Sequence, residues 1–181
     1  GRRGTPKEGV VRDALAVSLD TPRAVAVAND QLHIALAGDN KVWTYDLGNA
    51  QLTFRAGSGA LNVKDGVGSA AAFAQPVALA AVQQTLYVCD AAGSAIRSLQ
   101  MRDNAVQTLL GQGAWTFGHV DGPRNIAQLQ EPQAIALDPD DRGRVLWRTT
   151  LYEGQPPSAL GLVLFGGTAD GARAYFPMQQ P

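Results

Sequence analysis

Proline recurs along this chain at a nearly fixed interval, and each time it opens the same kind of segment. Leu19-Asp20-Thr21-Pro22-Arg23-Ala24-Val25-Ala26, Phe73-Ala74-Gln75-Pro76-Val77-Ala78-Leu79-Ala80 and Leu129-Gln130-Glu131-Pro132-Gln133-Ala134-Ile135-Ala136 align on Pro22, Pro76 and Pro132. Other landmarks keep the period. Leu32-His33-Ile34-Ala35 lies one period before Leu86-Tyr87-Val88-Cys89, and Val42 lies one period before Ile96. Asp65-Gly66 and Asp121-Gly122 stand at equal distances before Pro76 and Pro132. At the C-terminus Asp170-Gly171 stands at that same distance before Pro181, and Leu162-Val163-Leu164-Phe165-Gly166 takes the place of Thr108-Leu109-Leu110-Gly111. A third, altered unit is therefore expected. A period of this length means one small supersecondary block per unit, which can bury its apolar surface only against its neighbours.

Within the second unit, four short runs read as strands from their β-branched and apolar content: Val77 to Ala81, Thr85 to Cys89, Ala95 to Gln100 and Ala105 to Leu110. Gln83-Gln84, Ala92-Gly93-Ser94 and Asp103-Asn104 supply the turns. The proline precedes the first strand, where its missing N–H costs no ladder bond. No useful length of helical periodicity occurs. Four antiparallel strands make a sheet that is apolar on both faces, and radial stacking of such sheets is a β-propeller. Small residues crowd the first strands (Ala24, Ala26, Ala78, Ala80, Ala134, Ala136), as the narrow end of a wedge requires, while Trp43, Tyr45, Phe54, Leu109 and Leu110 fall on later ones. The predicted fold is all-β: about three four-stranded blades, a partial propeller of a ring expected to hold about six. Residues 1–18 are expected to be a connector or the outer strand of a preceding blade, 19–65 the first blade, 66–121 the second, 122–170 a diverged third, and 171–181 the start of the next repeat. A β-sandwich is the competing architecture, and the long constant period argues against it. Three blades leave two apolar faces open, so a parent chain's remaining blades or a second copy is needed to close the ring.

These residues resemble the NHL-repeat family, whose blade runs from a proline through an alternating strand to Leu-Tyr-Val-Ala-Asp, a short turn with Ile-Arg, and a strand ending in a Gly-rich loop. Pro76, Leu86-Tyr87-Val88-Cys89-Asp90, Ile96-Arg97 and Thr108-Leu109-Leu110-Gly111-Gln112-Gly113 follow that pattern. The connectors, including Gly118-His119-Val120-Asp121-Gly122-Pro123, look like the propeller of thioredoxin-like NHL-repeat proteins. The first unit departs from the pattern by carrying Leu36 where the second has Asp90. In the third, Leu146-Trp147-Arg148-Thr149-Thr150 has lost it. There is no Cys-x-x-Cys, so residues that could carry the thiol-redox activity of such proteins are absent from the sequence.

A formal net charge of −1 gives no basic surplus for phosphate, so no nucleic-acid partner is expected. No apolar run is long enough for a helix to span a bilayer, so no membrane partner is expected either. The single cysteine, Cys89, lies in an apolar run and reads as a buried thiol, and one cysteine makes no multi-cysteine zinc site. His33 aligns with Tyr87 and reads as a packing residue. His119 beside Asp121 offers too few ligands for zinc, and the Asp-Gly pairs lack the alternating carboxylates of a calcium loop and read as turns. Neither Gly-rich loop precedes a helix, and no serine has a neighbouring His and Asp. No cofactor, metal or catalytic residue is expected. Candidate binding residues are Trp115, Phe117 and His119 in the long connector, and Asp90 with Arg97, whose first role is expected to be tying the blade together across strands. The function expected is a non-catalytic scaffold for a protein or other macromolecular partner. The alternatives are an accessory module of a thiol-disulfide redox protein, which the resemblance implies, or part of the active-site ring of a propeller-type lyase or hydrolase.

Overall fold

A computed structural model describes residues 9–11, 17–111, 113, 116–118, 120, 122–123, 125–137, 145–149, 160–164 and 173–175. Among them, regular structure is strand apart from one 3-10 turn, Gly68–Ala70. The strands form three antiparallel sheets. In the first, β2 (Pro22–Ala28), β3 (Gln31–Leu36), β4 (Lys41–Asp46) and β5 (Leu52–Ala56) run as a meander, and β1 (Val10–Val11) lies outside β5. The second repeats this with β7 (Pro76–Val82), β8 (Thr85–Asp90), β9 (Ala95–Gln100) and β10 (Ala105–Leu110), and β6 (Gly66–Val67) lies outside β10. The third has β12 (Pro132–Leu137), β13 (Val145–Thr149), β14 (Leu160–Leu164) and β15 (Arg173–Tyr175), with β11 (Gly122–Pro123) outside β15. The first strand of each meander packs on the first strand of the next, β2 on β7 and β7 on β12. This is a three-bladed arc of a β-propeller.

Three details differ from the sequence reading. Each sheet has a very short fifth strand, which the connector ahead of it lays along its outer edge. Val10–Val11 accordingly pairs with Leu52 and Thr53 of the first sheet, as part of the connector and not as the outer strand of a preceding blade. In the third unit, Leu160–Leu164 is the third strand, and the fourth is Arg173–Tyr175, which lies in the stretch assigned by sequence to the next repeat. The links between the third unit's strands are longer than the tight turns of the second, so the ruler taken from the first two units slips by one strand. Asp170-Gly171 and Pro181, the landmarks that suggested the alignment, lie outside the described residues.

The repeated proline has a repeated geometry. Pro22, Pro76 and Pro132 pair with Leu36, Asp90 and Thr149, and in each sheet the register slips immediately after the proline. Lacking an N–H, proline cannot hold the ladder there, and a bulge is the natural response. The residue before each proline is left-handed: φ is 50° at Thr21, 65° at Gln75 and 41° at Glu131. A non-glycine residue in that region is strained and persists only when its surroundings hold it. At the second and third blades the hold comes from the β3–β4 and β8–β9 turns of the preceding blade: the Gln75 N–H donates to Asn40 Oδ1 at 2.9 Å, and the Glu131 N–H to Ser94 Oγ at 3.4 Å. Where the fourth strand ends, Gly57 (φ 113°) and Gly111 (φ 100°) cross the same two turns. A Cβ at either glycine would run into the backbone carbonyl of Asn40 or of Ser94.

Two of the cores lie between sheets. Ala24, Ala26, Ala35 and Val42 of the first sheet meet Leu79, Leu86, Val88 and Leu99 of the second, with Ala71 and Phe73 of the connector filling the outer part. Ala78, Tyr87, Cys89 and Ile96 on the other face of the second sheet meet Ile135 of the third, with Ala127 and Leu129 from the next connector. In the first joint small residues thus face large ones, as a stacked wedge requires.

Gly111→Ala is expected to destabilise the chain by about 2 kcal/mol or more, because it adds both positive-φ strain and a backbone clash. Urea unfolding checks this, and an unchanged midpoint would mean that the carbonyl of Ser94 is not where the fold puts it.

Candidate functional site

Asp90 and Arg97 meet, and both are fully buried. Arg97 Nη1 donates to Asp90 Oδ2 at 3.2 Å and to the carbonyl of Ala72 at 2.9 Å. Its Nη2 donates to the carbonyl of Lys64 at 2.9 Å and to Asp65 Oδ1 at 3.0 Å. The guanidinium carbon stands 5.3 Å from the centre of the Phe73 ring. Asp90 Oδ1 accepts the N–H of Ala74 at 2.6 Å. Each of these partners outside the pair belongs to the connector 64–74, so the pair fastens that connector across the blade rather than presenting itself to a ligand. Burial pushes the Asp90 carboxyl up to about 7, against the opposing pull of the Arg97 charge and the Ala74 N–H. Asp65 also has a different role from the turn the sequence suggested. Its Oδ1 accepts from Arg97 and from Thr108 Oγ1 at 2.7 Å, and Gly66 is part of strand β6. The first blade carries Leu36 and Trp43 where the second has Asp90 and Arg97, so both members are exchanged together. There an apolar cluster with Val17 and Leu19 replaces the ion pair.

The joint between the first two blades contains a polar network. Arg55 Nε donates to Thr44 Oγ1 at 3.0 Å, Arg55 Nη2 to Gln31 Oε1 at 3.3 Å, and His33 Nδ1 lies 2.9 Å from Thr44 Oγ1. Thr44 Oγ1 thus accepts from Arg55, while its hydrogen bond with His33 Nδ1 runs in the direction the ring tautomer sets; the other ring nitrogen is Nε2. That Nε2 is buried without a partner among the described residues. Burial, with the Arg55 charge adding to it, lowers His33 to about 4. His33 is thus a neutral member of a buried network, where the sequence suggested simple packing. Burial, and the neighbouring Asp90 charge, push the Cys89 thiol far up, so it is neither a nucleophile nor a thiolate ligand in this environment.

The exposed apolar residues lie elsewhere, several of them on the connectors. Phe117 is 55% exposed, as the sequence suggested, while Trp115 and His119 lie outside the described residues. The structure adds Leu61, 62% exposed, which the sequence reading missed. Leu61 and Phe117 hold the same repeat position. Lys64 bridges Ala72 in the first full connector and Val120 bridges Gln128 in the second, so the two bridges correspond. Leu61 precedes Lys64 by the same interval as Phe117 precedes Val120. The signal was available in the sequence as two bulky apolar residues at one repeat position. Among the described residues no three His, Cys, Asp or Glu side chains gather into a set that could hold a metal ion.

No protein-family model matches the chain. The NHL repeat-containing protein 2 of Homo sapiens is 29% identical over 166 residues, which covers 76% of this chain and 23% of that protein. The Gallus gallus protein of the same name is 28% identical over 167 residues, with the same 76% and 23% coverage. In sequence these repeats are similar to those of the NHL repeat-containing proteins. The chain spans less than a quarter of the length of these curated relatives. Among solved structures, a structural genomics protein of unknown function from Bacteroides thetaiotaomicron matches with a TM-score of 0.59 at 19% identity, over 81% of this chain and 32% of that one. An auxiliary nutrient binding protein from Bacteroides ovatus matches with a TM-score of 0.58 at 20% identity, over 65% and 32%. Those two likenesses carry the fold. Asp90 and Arg97 are the internal fastening of the second blade, and Leu61, Phe117, Val120 and Ile126 are large apolar side chains exposed on the connectors.

Breaking the buried pair on one side is expected to cost far more than replacing both members. Asp90→Leu takes from buried Arg97 the carboxylate of its own sheet, leaving it the half-exposed Asp65, and should cost about 3 kcal/mol or more, while adding Arg97→Met should recover part of that loss. Chemical unfolding of the two variants measures it, and strictly additive losses would contradict a coupled pair. His33 supplies a pH test. Its folded value, about 4, lies below the unfolded 6.5, so the unfolded chain takes up a proton in that window that the folded chain does not. The contribution is complete above the unfolded value and disappears as the pH falls towards 4. Between pH 7 and about 4.5 the wild type should lose roughly 2 kcal/mol more than His33→Gln. Asp90, raised in the folded state, titrates with the opposite sign in both proteins, and the comparison cancels it. Parallel pH profiles would show that His33 titrates normally.

Proposed function

We propose that the chain is part of a non-catalytic NHL-repeat propeller scaffold, and that it binds a protein partner through the connectors that link its blades. The observation that carries this reading is the pair Leu61 and Phe117, two large apolar side chains exposed at one repeat position on successive connectors. Val120 and Ile126, also exposed, add apolar surface to the second connector. Side chains at this position do not contribute to the joints, which are filled by Ala71 and Phe73 in one connector and by Ala127 and Leu129 in the next. Exposure of matched apolar groups on rigidly anchored loops is what a partner-binding surface requires, since the anchor has already removed the conformational freedom that binding would otherwise have to remove. The anchors are the Asn40 and Ser94 hydrogen bonds and the Arg97 fastening described above.

The two other function classes gain no support from the described side chains. Cys89, the thiol of the chain, is sealed in the second joint, and His33 is held inside the first.

A Leu61→Ala, Phe117→Ala double variant is expected to fold with unchanged far-ultraviolet circular dichroism and unfolding midpoint. Quantitative affinity capture should then show at least one partner depleted about tenfold or more relative to wild type, the loss expected of two central apolar contacts. Identical capture by both proteins would contradict a connector-borne interface, and a lost fold would show these side chains to be core.

A further inference from the structure

The polar network of the first joint ends on a group that can change its charge. On β3, His33 and Ala35 project to the same side, and Ala35 packs there in one cluster with Leu79, Leu86 and Val88 of the second sheet. His33 is fully buried and shares Thr44 Oγ1 with Arg55. A neutral ring suits this place in either tautomer, because Nδ1 and the Thr44 hydroxyl can exchange donor and acceptor roles. A protonated ring does not suit it. Nδ1 must then donate, so an imidazolium and a guanidinium converge on one hydroxyl oxygen. Nε2 becomes a charged, buried donor with no acceptor among the described residues.

The neighbouring elements offer that charge no relief. Arg55 of β5 is the charged group that acts on His33, and it repels the imidazolium. Asp46 of β4 is held by the N–H groups of Gly48 and Asn49 in its own turn, Lys41 lies at the opposite end of β4, and Arg23 of β2 is exposed. β7 carries no titratable residue, and β8, β9 and β10 bring Leu86, Val88, Leu99 and Val106 to this core. In the connector, Lys64 is exposed and Asp65 is bound to Arg97 and Thr108. The second joint is built differently: Tyr87 holds the repeat position of His33, and Ser98 that of Thr44.

We propose that the first joint is an acid-sensitive hinge: protonation of His33 beside Arg55 parts the first sheet from the second, while the second joint, with Tyr87 at that position, stays closed. Both faces of this joint lie within the described sheets, so the hinge is the same whatever blades flank them. The closed joint holds His33 at about 4, and opening returns it to its ordinary 6.5. Protons therefore favour the open form: closure is complete above 6.5 and weakens as the pH falls towards 4. Between pH 7 and about 4.5 the opening equilibrium should rise roughly fiftyfold.

Two backbone amides report the two joints separately. The Gln75 N–H bonds across the first to Asn40 Oδ1, and the Glu131 N–H across the second to Ser94 Oγ. Amide hydrogen exchange followed by nuclear magnetic resonance on the full chain, each rate divided by its intrinsic rate at that pH, measures both openings. Protection at Gln75 should fall roughly fiftyfold from pH 7 to about 4.5, while that at Glu131 holds. The Leu99 amide, inside the second sheet, should stay more protected than Gln75 at both pH values, which marks the opening as local. His33→Tyr installs the second blade's residue and His33→Gln a smaller neutral one, and each should flatten the Gln75 profile. A flat wild-type profile at Gln75, an equal fall at Glu131, protection equal to that of Leu99, or an undiminished fall in a folded His33 variant would each overturn the proposal. The outcome does not depend on Leu61 and Phe117, so failure here leaves the connector-binding reading standing.

Discussion

Everything in this molecule depends on the contact between one sheet's alanine strand and the next sheet's leucine and valine face. A four-stranded sheet with apolar residues on both sides has no stable solution on its own. Here Ala24, Ala26 and Ala35 let the first sheet approach closely enough for Leu79, Leu86 and Val88 of the second to lose their water. The driving force is burial of apolar surface, and the directional elements only decide where that burial happens. The left-handed residue before each proline and the bulge after it set the angle at which each first strand enters. The Gly57 and Gly111 crossings let the chain leave the fourth strand and pass over the turn beneath.

Polar groups do the fastening. Arg97 reaches a carboxylate in its own sheet, a second carboxylate and two backbone carbonyls in the connector, and an aromatic face. A buried charge needs that many partners to offset its desolvation. The first blade obtains the same closure with Leu36, Trp43, Val17 and Leu19, an apolar cluster in place of the charges. Two chemically unrelated solutions at one repeat position show that the requirement is coverage of the outer half of the face. The ion pair of the repeat motif is one way of meeting it. The result is a division of labour: strands and the inward side of each connector build the arc, and the outward side, with Leu61 and Phe117, stays exposed.

Much of this could be read in the sequence, for physical reasons. The strands of the second unit were legible because tight turns keep the period strict, and Thr85–Asp90 and Ala95–Gln100 lie within a residue of the predicted ends. The meeting of Asp90 and Arg97 was legible because they lie on adjacent strands. Their connector partners were not, because Lys64, Asp65 and Ala72 are brought in by a loop whose path no local pattern encodes. The short edge strands were missed for the same reason: Gly66–Val67 is too short to show a strand pattern and exists only because β10 offers it an edge. In the third unit the links between strands are longer, and the spacing of Asp170-Gly171 and Pro181, which lie outside the described residues, does not locate its fourth strand, Arg173–Tyr175. Leu61 was overlooked although the period alone places it opposite Phe117 in the repeat.

Face-to-face stacking of the sheets in one fixed sense is the central claim, and methyl-labelled nuclear magnetic resonance tests it directly. Cross-relaxation is predicted from the Leu79 and Val88 methyls to the methyl groups of Ala24, Ala26 and Ala35, which are remote in sequence. None is predicted from those methyls to Val25 or Val27, on the other side of the same sheet. Contacts from Leu79 to Val25 and Val27 in place of the alanines would mean that the blades stack the other way round, and the fold described here would be wrong.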